Sequence, residues 1–177
     1  MRFNIKRFIG VVVSIGFMVF LDLFTKMLAV DNLKFGEPVN LIDGLLGLTY
    51  LENKGMAWGM LSGQRVIFII ITVIVLGLLC YAFARIPKEK RYLPLLVDLC
   101  ILTAGAVGNL VDRIVLGYVR DFIEFKFINF PIFNVADIFA TVSTVLLFIL
   151  VLFVYTKDDD FTFLRLKSKK ESNNGDN

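Results

Sequence analysis

Four long apolar stretches, each able to cross a bilayer as a helix, govern what this chain can become. They run at about residues 8–30, 66–84, 93–115 and 132–155, and the second, VIFIIITVIVLGLLCYAFA, carries no charge at all. In hydrocarbon every backbone N–H and C=O needs a partner within the protein, so an isolated spanning stretch is a helix. The expected fold class is an all-α membrane protein with four transmembrane helices. The basic start MRFNIKR raises a competing reading for the first stretch, a cleaved leader. Against it, the apolar run is long, contains Asp22 and Lys26, and has no small-residue cleavage site.

Residues 1–157 read as one helical domain and residues 158–177 as a polar cytoplasmic tail, whose end KSKKESNNGDN is expected to be disordered. There is no internal repeat. Lysine and arginine set the orientation. Arg2, Lys6 and Arg7 precede the first helix, and Arg85, Lys88, Lys90 and Arg91 separate the second from the third. The loop between the first two helices instead sets Lys34, Lys54 and Arg65 against Asp31, Glu37, Asp43 and Glu52. Both termini are therefore expected in the cytoplasm, with residues 31–65 and 116–131 outside. The first outer loop contains VNLIDGLLGLTYLENKGMAWGML, short apolar runs broken by glycines, which suits a small β-rich element lying on the membrane surface. Tyr50 and Trp58 suit the interface there. The second outer loop is aromatic, with Phe122, Phe125, Phe127, Phe130 and Phe133, and is expected at headgroup level.

Composition excludes much chemistry. The chain has no histidine, so a Ser-His or Cys-His nucleophile and a histidine-ligated zinc protease site are impossible. A net charge of +3 offers no broad nucleic-acid surface. Cys80 and Cys100 each lie in an apolar run and read as small buried hydrophobes rather than a disulfide. Hydrolysis, if any, falls to carboxylates, to lysine, or to serine with lysine.

The carboxylates are not scattered. Gly105, Gly108, Asn109 and Asp112 share one face of the third helix, and Asn134, Asp137, Thr141 and Thr144 share one face of the fourth. Asp22 and Lys26 are four residues apart on the first helix, a spacing that favours an ion pair. With the orientation above, all these groups, and Asp121 after the third helix, converge just inside the outer leaflet. Two readings remain open at this point. The charges are either ion pairs that hold helices in register, such as Asp22 with Lys26 and Asp112 with Arg113, or a functional site. Asp98, near the cytoplasmic end, is expected to reach the interface or Arg91. Pattern alone does not prefer Asp121 over Asp112. A small ion or proton-coupled transporter and a non-enzymatic membrane assembly protein both fit buried acids, although acids gathered near one face do not trace a path across the membrane.

The motifs LDLFTK (Leu21–Lys26), ENKGMAWGM (Glu52–Met60), AGAVGNLVDR (Ala104–Arg113), GYVRDFIEF (Gly117–Phe125) and FNVAD (Phe133–Asp137) resemble, in order and spacing, those of the prolipoprotein signal peptidases, or type II signal peptidases. The resemblance covers about residues 20 to 145. It implies an aspartic endopeptidase of the bacterial cytoplasmic membrane that cleaves lipid-modified prolipoproteins just before the diacylglyceryl-cysteine. Carried over by motif, the catalytic pair is Asp121 and Asp137. Asp22, Lys26, Asn53, Asn109, Asp112, Arg113 and Asn134 become supporting or substrate-binding residues. No metal or organic cofactor is implied, the surroundings are membrane phospholipid, and a monomer is expected. The chain departs from the family where Leu23 stands in place of a common glutamine, at Met56, Ala57 and Trp58, and at Arg120, where valine is common. None of these replaces a carboxylate.

Overall fold

The computed structural model describes residues 5–55, 64–156 and 161–164. Met56, Ala57, Trp58 and the tail from residue 165 lie outside the described residues. Four helices are present: α1 (Ile5–Leu33), α2 (Arg65–Arg85), α3 (Leu93–Val115) and α4 (Val135–Ile149), the last continued by a wider turn over Leu150–Val154. All four are long and apolar enough to cross a membrane. The 29 residues of α1 span roughly 43 Å at 1.5 Å each, more than the hydrocarbon thickness.

Helix α3 is the centre of the bundle and packs against α1, α2 and α4. Small residues allow this. Ala104 is fully buried, and a Cβ on Gly105 would lie 2.6 Å from the Ala136 carbonyl oxygen. Close backbone approach of this kind is how helices gain packing energy where no hydrophobic drive separates them from lipid. The outward faces carry large apolar side chains, among them Phe17, Ile74 and Phe148, which suit acyl chains. Helix α2 is peripheral, with Leu79 its one buried residue, and Cys80 lies exposed on it. The expectation of a buried Cys80 is thus corrected, since only one side of α2 meets protein; Cys100 is buried and both thiols are free.

The ends of the bundle differ in character. At one end Leu79, Ile86, Leu95, Leu96, Leu99, Leu150 and Tyr155 form the main apolar core. There the Tyr155 hydroxyl donates to the Arg91 carbonyl at 2.8 Å, and its ring stacks on Tyr92 at 5.5 Å. Asp98 is sealed nearby on the same helix. It is wholly buried, and neither carboxylate oxygen has a hydrogen-bond partner among the described residues. The expectation that it reaches the interface or Arg91 is overturned. Three and seven residues along, it shares the α3 face of Leu95 and Gly105, which turns inward. Ser143 of α4 donates to its main-chain carbonyl at 3.1 Å, and Arg91 reaches the Val154 carbonyl instead, at 3.1 Å.

At the other end lies a three-stranded antiparallel sheet in the order β1-β2-β3, with β1 at Val39–Ile42, β2 at Leu46–Asn53 and β3 at Val119–Phe125. Gly44, at φ +69°, makes the β1–β2 turn. Gly117, at φ +89°, reverses the chain between α3 and β3. The register pairs Leu51 with Asp121, Glu52 with Arg120 and Asn53 with Val119, after an irregularity between Leu48 and Leu51. The strands expected in the first outer loop therefore recruit a third from the second loop. Strand β3 lacks the alternation that would have marked it, because Val119, Asp121 and Phe122 are all buried.

Candidate active site

Helix α4 starts with a reciprocal cap. The Asn134 side-chain oxygen accepts from the Asp137 backbone N–H at 3.0 Å, and the Asp137 carboxylate accepts from the Asn134 backbone N–H at 3.1 Å. This is the capping-box spacing, with the acid three residues inside the cap. The NVAD sequence thus both opens the helix and fixes the rotamer of Asp137.

Asn134 has a further donor, and it points at the second acid. Its Nδ2 donates to Asp121 Oδ1 at 2.6 Å. Asn53, from β2, donates to Asp121 Oδ2 at 2.8 Å. Asn109, from α3, donates to Asp137 Oδ1 at 2.7 Å. Each acid is thus held by amides, and Asn134 bonds to both. The bridge brings together residues from β3 and α4, with support from β2 and α3. Asp121 is 1% exposed. Burial, followed by the charge of Asp137, pushes its carboxyl up to about 7 against the pull of Asn53, Asn134 and Lys26.

Beneath the two acids lies a buried charged cluster. Lys26 Nζ donates to Asp22 Oδ2 at 2.8 Å and to Asn109 Oδ1 at 2.9 Å, so it orients the amide that serves Asp137. Asp22 Oδ1 accepts from the Ala136 N–H at 2.8 Å, placing a carboxylate on the first turn of α4. Asp112 Oδ2 lies 3.6 Å from Lys26 Nζ. The Asp22–Lys26 ion pair expected from their spacing is present.

The Asp112–Arg113 pair is not what forms. Adjacent residues on a helix project in different directions and cannot face each other. Asp112 instead takes the Arg120 guanidinium, with Nη2 at 2.6 Å on one oxygen and Nε at 3.2 Å on the other, and accepts the Arg120 backbone N–H at 3.0 Å. Arg113 lies with its guanidinium 4.9 Å from the Phe68 ring centroid and within the field of Asp137, Asp121 and Asp112. The structure therefore gathers Asp22, Lys26, Asn53, Asn109, Asp121, Asn134 and Asp137 into one hydrogen-bonded constellation, which Asp112 joins through its ion pair with Lys26 and which has Arg113 beside it. Arg120 was missed as a member. The available signal was the Gly117 turn, which folds the residues after α3 back onto its last turn.

Two bridged carboxyl groups of this kind can share a proton and act on a water in opposite senses, one accepting a proton while the other donates.

Residues 14–153 match the family model described as Signal peptidase (SPase) II. The chain is 41% identical over 160 residues to a lipoprotein signal peptidase of Enterococcus faecalis, covering 90% of this chain and 91% of that one. It is 44% identical over 143 residues to a lipoprotein signal peptidase of Caldanaerobacter subterraneus subsp. tengcongensis, covering 80% and 95%. A solved bacterial membrane enzyme, determined by the in meso method at 2.3 Å, superposes with a TM-score of 0.74 at 34% identity over 90% of this chain and 94% of its own.

Proposed function

We propose, from the premise that this chain belongs to the signal peptidase II family, that it is an aspartic endopeptidase of the bacterial cell membrane that removes the signal peptide from lipid-modified prolipoproteins. Asp121 and Asp137 are its catalytic pair. The observation that carries this assignment is Asn134, which donates to Asp121 through its side chain and to Asp137 through its backbone. Asp112, the other candidate, has its oxygens occupied by Arg120.

The mechanism follows from two like charges held together. Joint ionisation is costly, so the pair keeps one proton over the working pH range. The ionised carboxylate takes a proton from water, and that water attacks the scissile carbonyl. The protonated partner donates to the carbonyl oxygen and then protonates the departing amine. The pair titrates as a unit, and neither role is assigned to one residue. No step needs a metal or an organic cofactor. The scissile bond lies just before the diacylglyceryl-cysteine, whose acyl chains hold the substrate in the bilayer beside the bundle. Arg113 and Asn53 are the residues that would bind substrate oxygens.

Residues 1–157 form the catalytic domain and work as a monomer. Both termini face the cytoplasm, and the sheet end, with the catalytic pair, faces outward, in keeping with the distribution of lysine and arginine.

The deciding experiment is cleavage of a lipidated and an unlipidated prolipoprotein peptide by purified parent, Asp121→Asn, Asp137→Asn and Asp112→Asn proteins. The parent cleaves only the lipidated peptide. Both dyad variants are folded, bind substrate and are inactive, and Asp112→Asn keeps part of its rate. Substantial turnover by Asp121→Asn beside an inactive, folded Asp112→Asn means that the wrong carboxylates were paired.

A further inference from the structure

We propose that Arg120 is a positioning residue of this peptidase, acting through Asp112 and Lys26 on the amide that holds Asp137. The inference rests on the assignment of Asp121 and Asp137 as the catalytic pair, and it concerns a position where the chain departs from the family motif.

Three donors of Arg120 converge on Asp112: Nη2 at 2.6 Å, the backbone N–H at 3.0 Å and Nε at 3.2 Å. The planar guanidinium engages both carboxylate oxygens, a geometry that lysine cannot reproduce. Asp112 is 1% exposed, while the Arg120 side chain is 16% exposed, so the pair is nearly dry. Arg120 directly precedes Asp121 on β3. Its fork therefore fastens the strand carrying one catalytic acid to the last turn of α3, which carries Asn109.

The second consequence concerns Lys26. Its ammonium has three possible acceptors close by: Asp22 at 2.8 Å, Asn109 at 2.9 Å and Asp112 at 3.6 Å. Because Arg120 satisfies Asp112, Lys26 can spend its shorter bonds on Asp22 and Asn109. That fixes Asn109 with its oxygen toward Lys26 and its NH2 toward Asp137, 2.7 Å away. Without Arg120, Asp112 becomes a buried carboxylate with one cation in reach and draws Lys26 toward itself. Asn109 Oδ1 then loses the shorter of its two bonds and keeps only the one from Asn134 Nδ2 at 3.2 Å, so its orientation is less firmly set.

Charge gives an independent readout. Asp22, Lys26, Asp112 and Arg120 form a cluster of two acids and two bases. Removing the guanidinium leaves it one negative charge in excess. The catalytic pair, already facing Lys26 of α1, Arg113 and Asp112 of α3 and, within itself, β3 against α4, then holds its proton more tightly.

The test uses the full chain in vesicles with a lipidated prolipoprotein peptide. Arg120→Met keeps the length of the side chain and removes the fork and charge. We expect kcat to fall roughly 10-fold at unchanged KM, and the kcat/KM profile to move up by about 0.5–1 pH unit. Arg120→Lys restores the charge without the fork, so the pH profile returns to that of the parent while kcat stays reduced. In an Asp112→Asn background, Arg120→Met should cost little more, because residues acting through one another are not additive. Parent-like kcat in both Arg120 variants, a rise in KM alone, or fully additive losses with Asp112→Asn would each overturn the proposal. If Arg120→Met does not fold, as judged by its thermal transition, Arg120→Lys decides: a reduced kcat at the parent pH profile supports it, and parent kcat overturns it. Asp121→Asn is assayed alongside. Turnover there rejects the catalytic pair itself, whereas an inactive Asp121→Asn beside a parent-like Arg120→Met rejects only the role of Arg120.

Discussion

A carboxylate beside hydrocarbon is tolerable when each oxygen is occupied, and four acids of this chain meet that condition. Asp22, Asp112, Asp121 and Asp137 all accept hydrogen bonds, whereas Asp98, equally buried, accepts none among the described residues. That contrast predicts opposite responses to the same substitution. Asp98→Asn should leave cleavage intact and raise the thermal midpoint, because an amide is cheaper to bury than an unpartnered acid; a lower midpoint would reveal a contact that the acid needs. Asp121→Asn should abolish cleavage, yet stabilise the protein in alkaline buffer. The sign follows from the folded carboxyl at about 7 against an ordinary value of 3.8. Between these values the native state binds more protons than the unfolded state, so stability falls as pH rises through that window. The gain from Asp121→Asn, measured by thermal unfolding, is accordingly larger at pH 8 than at pH 4. For the same reason kcat/KM of the parent should decline above about pH 7, as the shared proton is lost. At this scale the sequence was partly legible. Helical spacing exposed Asp22 with Lys26 and the Asn134–Asp137 face. The choice of Asp121 over Asp112 rested on motif resemblance, because which acid Arg120 neutralises depends on a turn that periodicity does not report.

Helices α3 and α4 meet through glycine, and the proposed catalytic pair depends on that spacing. A Cβ on Gly108 would collide with the Asp22 carboxylate and lie 3.2 Å from Ala136 Cβ. Gly108→Leu should therefore push Asp22 off the Ala136 N–H, lowering stability by roughly 1–3 kcal/mol and activity with it. Gly77, on α2, has nothing within 4 Å of its Cβ position. Gly77→Leu should leave both the thermal midpoint and cleavage unchanged. Equal behaviour of the two variants would remove the α3–α4 contact from the account. Helices were legible because hydrocarbon leaves the backbone no alternative. Strand β3 was not, since its short run VRDFIEF is covered on both sides and carries Arg120, Asp121 and Glu124 in place of an alternating pattern.

For the whole molecule, the proposed orientation, with four crossings and the sheet outside, predicts that a reporter fused after Tyr155 reads as cytoplasmic and one inserted near Gly44 as external. The reverse would put the catalytic pair on the wrong side for a secreted substrate. The number of crossings could be read from hydropathy, and their grouping around α3 from its small residues. That two distant loops build one sheet could not, because strand pairing between them is set by where α1, α3 and α4 place their ends.

That sheet also dictates when the molecule becomes a protease. Asp121 lies on a strand whose partner, β2, is synthesised some seventy residues earlier, and Asp137 arrives only with the last helix. A ribosome-bound chain that has inserted α1 to α3 holds one acid, with neither Asn134 nor Asp137 to complete it. On the proposed pairing, proteolytic competence waits for α4, and a product stalled in the membrane before that helix carries no complete pair of acids.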